Sequence, residues 1–175
     1  MQKEGLENIL YVGLDDSNHA GERRGEIVVA TFSFNHEDSL VKNFRRKRDF
    51  RRAENWLKNS ETDYRFCVLM DEKFRHIYTN LPYTAPFLIN SFLKDYSEEV
   101  SNIKIYLDGF VESKYRNLLK KSFSDYPNLA VDYFIKRRGI HNCPNVVYMA
   151  HLLSHNLYSK EFPHLSEHEK RFEIN

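Results

Sequence analysis

Glycine, proline and cysteine are all scarce in this chain of 175 residues, at six, five and two respectively. With so few turn formers, and no repeat, low-complexity tract or linker, element boundaries have to be read from polarity as well as from breakers. Cys67 and Cys143 could form one disulfide at most. They make no disulfide framework and fit no zinc-knuckle spacing, so two reduced structural thiols in a cytoplasmic protein are expected. Long hydrophobic runs are missing too. Stretches such as IVVA at 27–30 fall far short of the roughly 20 residues of a spanning helix, and no membrane partner is expected. The opening residues MQKEG are polar, which argues against a secretory signal. An excess of charge is also lacking. Twenty-six basic against 25 acidic residues leave +1, which excludes bulk-charge coating of nucleic acid or anionic membrane but permits a local basic groove.

What is present suits one domain over residues 1–175: 41% hydrophobic, 29% charged and 14% aromatic residues, with 13 Phe and 11 Tyr. Residues 8–14 (NILYVGL) are a short apolar run closed by the turn formers DDSN, which reads as a strand buried on both faces. Residues 25–34 are β-branched and aromatic, a second strand joined to the first by a polar hairpin loop. A third strand is expected at 64–70. Between the second and third lies a charged insertion at 36–62 with a short helix around 50–58. Helical spacing of Leu88, Ile89, Phe92, Leu93 and Tyr96 marks a helix over 85–96. A strand at 103–107, a charged helix at 113–123 and a strand at 129–135 follow. A last helix covers 144–158, with Pro144 suited to its first turn. The polar tail at 159–175 reads as a short helix or a loose segment. The order β-β-β-α-β-α-β-α predicts an α/β fold: an antiparallel meander extended by parallel strands into a five-stranded mixed sheet flanked by helices.

In that topology the first and fourth strands are parallel neighbours. Asp15 ends one and Asp108 the other, so both carboxylates emerge at the same end of the sheet. Paired acids there form a hard-oxygen site for Mg²⁺ or Mn²⁺, suited to phosphodiester chemistry. Either aspartate could instead be a turn former, Asp108-Gly109 being a common turn dipeptide. Asp16 points to the opposite face from Asp15 if the strand continues through it.

These residues resemble the ribonuclease H-like superfamily. YVGLDDS at 11–17 resembles the Tyr-Ile-Asp-Glu-Ser-Gly opening of a broad family within it, and more distantly the Gly-Ile-Asp-Glu-Ala-Gly of type 2 ribonucleases H. IYLDG at 105–109 is similar to their later strand ending in Asp. NVVYMAHLLSHN at 145–156 resembles the last helix of the first family, where an Asp completes the metal site and His151 stands here. The resemblance spans most of 9–158. It implies a divalent-metal nuclease with Asp15, Asp16, Asp108 and His151 as catalytic, metal-holding residues. Asp16 in place of the usual Glu is one methylene shorter. His151 is a softer, neutral ligand that suits Mn²⁺ better than Mg²⁺. The alternative is a non-catalytic module of the same fold, with His151 marking a lost ligand.

Other candidates carry less. His151 shares a helix side with Val147, Ser154 and Tyr158, off the main apolar stripe of Val146, Met149, Ala150, Leu153 and Leu157. His155 makes a His-x₃-His pair with it that can bind zinc. His19 could sit at the site mouth. His141 and Asn142 could reach substrate, though Asn142 fits a helix cap better. Basic residues cluster at 42–52, including Arg45, Arg46, Lys47, Arg48, Arg51 and Arg52, and again at Lys136, Arg137 and Arg138. Such clusters suit phosphate contacts, with Phe44, Phe50 and Trp56 placed to stack on bases, or they are a solvated helix face.

Overall fold

In this computed structural model, which describes residues 8–16, 26–45, 55, 63–69, 77–96, 99–126, 128–137, 140–159 and 171–174, the first apolar run forms the central strand. The elements are β1 (Ile9–Asp16), β2 (Glu26–Ser33), a 3-10 turn (His36–Ser39), β3 (Val41–Arg45), β4 (Asp63–Leu69) and α1 (Ile77–Asp95). They continue with β5 (Asn102–Asp108), α2 (Ser113–Ser122), β6 (Ala130–Phe134), β7 (Ile140–Pro144), α3 (Asn145–Ser159) and β8 (Arg171–Ile174). The main sheet runs β6-β5-β1-β2-β4-β8. β1, β2 and β4 form the antiparallel meander, and β5 and β6 add parallel to β1. Those five strands with their helices are the expected mixed sheet, and they match a ribonuclease H-like topology.

The pleat sorts side chains onto two cores. Leu10, Val12 and Leu14 of β1 join Ile103, Ile105 and Leu107 of β5 in the cluster that also holds Leu88, Ile89 and Phe92 of α1 and Leu119 of α2. Tyr11, Val29, Phe66 and Tyr106 face the other way, toward Val146, Val147, Met149 and Leu153 of α3. Arg65, 1% exposed, ties β4 to the end of α1 by pairing with Asp63 at 2.6 Å and Asp95 at 3.1 Å.

Several details depart from the sequence reading. The tail, read as a short helix or loose, supplies β8, which pairs parallel with β4. The insertion contributes β3, which pairs with β7 as a separate antiparallel ribbon over α3. Its expected helix around 50–58 lies outside the described residues except Asn55, which is helical. Pro144 closes β7 instead of opening α3, where its missing N–H costs no helix bond. Asn142 is mid-strand, paired with Asn43, and so is not the helix cap. α1 begins eight residues earlier than the spacing indicated. Cys67 and Cys143 are both buried thiols. Among the described residues no helix is long and apolar enough to cross a membrane.

Candidate metal centre

Two parallel strands deliver the acids. Gly13 pairs with Tyr106 and Leu14 with Leu107, so the next register position sets Asp15 beside Asp108 at the carboxyl end of the sheet. Both lie on the α3 face, since Leu14 and Leu107, one position earlier, face the opposite core.

α3 reaches this point because β1 lets it come close. A Cβ on Gly13 would lie 2.3 Å from the carbonyl carbon and oxygen of Val146, so only glycine admits the helix start there. The Thr31 hydroxyl donates to Val146 O at 2.7 Å. Asn145, first residue of the helix, donates through Nδ2 to buried Asp38 at 2.8 Å, and Asp38 also accepts from the Ser33 hydroxyl at 2.7 Å. From that anchored start His151 and Ser154 project over the strand ends.

His151 Nδ1 lies 3.0 Å from Asp15 Oδ2 and 3.1 Å from Asp108 Oδ2, so a single N–H serves both carboxylates. The Ser154 hydroxyl donates to Asp15 Oδ2 at 2.7 Å. His141, buried on β7, has its Nδ1 3.9 Å from Asp108 Oδ2, and its ring centre is 4.2 Å from that of His151. Ligand atoms of Asp108, His141 and His151 all lie within 4.8 Å of one another, a cluster able to chelate a metal ion. Two imidazoles and carboxylate oxygen form a borderline donor set that fits a divalent first-row ion.

Burial and charge set the protonation. Asp15 is 5% exposed, and burial pushes its carboxyl from an ordinary 3.8 to about 7; the His151 hydrogen bond opposes this, and the Asp108 and Asp16 charges reinforce it. Burial alone would lower His151, but its hydrogen bonds to Asp108 and Asp15 and their charges outweigh that and raise it from 6.5 to about 9. Desolvation, with the charges of Asp108 and Asp15, pushes the Cys143 thiol up to about 12, so it stays protonated beside the acids.

Of the residues singled out by sequence, the structure brings together Asp15, Asp108 and His151. Asp16 continues β1, paired with Val28, so the pleat turns it to the other face, from which its charge acts on Asp15. His155 meets the His151 ring edge-on at 4.4 Å, outside the three-residue cluster. His19 lies outside the described residues, as do Arg46, Lys47, Arg48, Arg51, Arg52 and Arg138, and Phe50 and Trp56. The backbone of Arg45 pairs with Ile140; Lys136 is half-buried and Arg137 exposed. Phe44 is buried and stacked on Tyr148 at 4.1 Å, so it packs the core and is closed to bases. His141 and Ser154 were not assigned to the centre by sequence. For Ser154 the signal was there, three residues after His151 on the same helix side. Set against models of protein families and against curated proteins, the sequence matches none.

Proposed function

We propose that this protein is a divalent-metal-dependent nuclease or related phosphodiester-processing enzyme. The supporting observation is the convergence of strand-end carboxylates Asp15 and Asp108 with His141 and His151 at one sheet end. The ribonuclease H-like topology and the YVGLDDS opening favour placement near the family with the Tyr-Ile-Asp-Glu-Ser-Gly motif. A divalent ion held by Asp108, His141 and His151, with Asp15 alongside, would supply Lewis acidity toward a phosphoryl oxygen. Two imidazoles favour Mn²⁺ over Mg²⁺. The chain's own groups do the rest. Ser154 holds Asp15 in place, and until an ion takes up His151 Nδ1, Asp15 and Asp108 together fix the ring by accepting from that N–H. Phosphate would be drawn by Lys136 and Arg137 and by the basic run that follows Arg45. Buried thiols suit a reducing, cytoplasmic setting.

The test incubates the full chain with labelled single-stranded, duplex and hybrid nucleic acids plus Mn²⁺ or Mg²⁺, beside Asp108→Asn. Metal-dependent cleavage lost by at least about a hundredfold in the variant is expected, the scale on which a group stabilising developing charge acts. Cleavage indifferent to Asp108→Asn would overturn this site. Binding with no cleavage under any ion would favour a non-catalytic module instead.

A further inference from the structure

Beside the Asp108–His141 pair lies a cavity of about 810 Å³ lined by Tyr133, Phe134, Ile135, Arg137, Ile140 and Asn142. That volume is comparable with the roughly 300–1,000 Å³ of organic-ligand sites, but the space is open to solvent, as a groove is. The backbone ties its walls to the centre. Phe134 is the β6 partner of Asp108, and the Gly109 N–H donates to Phe134 O at 2.8 Å. Along β7, His141 turns inward and is 2% exposed, while Ile140 and Asn142 on either side turn outward.

The lining sets aromatic and aliphatic side chains beside Arg137 and Asn142, where a purely phosphate-gripping surface would be polar throughout. Phe110 is 51% exposed, and its ring meets Tyr133 edge-on at 5.2 Å. The Arg116 guanidinium lies 5.1 Å from the Tyr133 ring centre, and Ile135 and Ile140 are also exposed. Among the described residues Arg137 gives the lining its one formal charge, and it is positive. A duplex presents phosphates and sugars outward, which would leave the aromatic and aliphatic part of this lining unmatched. A single strand presents its bases, whose faces stack on aromatic side chains whatever their identity, while guanidinium groups follow the backbone. We infer that the cavity and Phe110 form a groove for the unpaired bases of single-stranded nucleic acid next to the reacting phosphate. This inference rests on the phosphodiester reading above and narrows its substrate.

The groove can be tested apart from catalysis. Labelled single-stranded DNA, single-stranded RNA and a duplex of the same sequence are titrated with the full chain in EDTA, and binding is followed by fluorescence anisotropy. Tighter binding of either single strand than of duplex supports the groove, and the ratio of the two identifies the sugar. Phe110→Ala should weaken single-strand binding about tenfold, the loss expected for one stacked base, and Phe110→Trp should restore it. Equal binding of duplex and single strand, or wild-type affinity in Phe110→Ala, would overturn the inference. Single-strand binding that needs Phe110, with no cleavage when Mn²⁺ is added, would keep the groove and remove the hydrolytic reading. Cleavage of duplex that depends on Asp108 and ignores Phe110→Ala would do the reverse.

Discussion

Between Asp15 and Asp108, a protonated His151 is the cation that two closely placed carboxylates require when no metal is bound. A metal ion entering among these groups must displace that proton, so metal affinity and pH are linked. Because His151 is raised to about 9 and Asp15 to about 7, binding of Mn²⁺ should release protons and tighten from pH 6 to pH 9. The shift in melting temperature produced by Mn²⁺ should therefore grow over that range; a shift independent of pH would disprove the linkage. For the metal-free protein the sign is opposite. Both groups have folded values above their ordinary 3.8 and 6.5, so each favours the fold while protonated. The Asp15 contribution is lost as pH rises through about 7, and that of His151 as it rises through about 9. Thermal melts without metal should fall across pH 4 to 9 in the wild type and flatten in Asp15→Asn/His151→Gln.

The position of α3 depends on a few contacts at its first turn. Gly13→Ala drives a methyl into the backbone at Val146, so the helix must lift from β1, carrying His151 and Ser154 away from the acids. A loss of at least about 2 kcal/mol in denaturant unfolding is expected, together with weaker Mn²⁺ binding. Asp38→Ala would leave the Asn145 amide and the Ser33 hydroxyl without their buried acceptor, at roughly 2–4 kcal/mol. These elements also show what could be read in advance. β1 and β5 were legible because apolar runs of strand length ended in acids, and their parallel adjacency followed from element order. β7 was not legible, because its pattern inverts the usual one: Ile140 and Asn142 lie outside and His141 inside, so no hydrophobic alternation marks it. That is why His141 was missed as a member of the centre. His151 was only half legible. Its helix side holds Val147 and Ser154, both buried, so leaving the apolar stripe did not mean facing solvent.

At the scale of the whole molecule, α3 lies between the six-stranded sheet and the β3–β7 ribbon. Residues 146–150 and 152–154 are all buried, so the helix that carries His151 is enclosed on nearly every side. This enclosure has a consequence in time. Amide hydrogens of such a helix exchange only when the sheet itself opens, whereas an edge strand such as β8 can open alone. Hydrogen exchange followed by mass spectrometry should find peptides from α3 among the slowest, near the rate of global unfolding, and β8 much faster. Exchange of α3 at the rate of β8 would contradict this picture. A centre mounted on so slow an element does not breathe on the timescale of a ligand's encounter. A ligand of His151 therefore meets a centre already in place, with the standing cavity lined by Ile140 and Asn142 next to it.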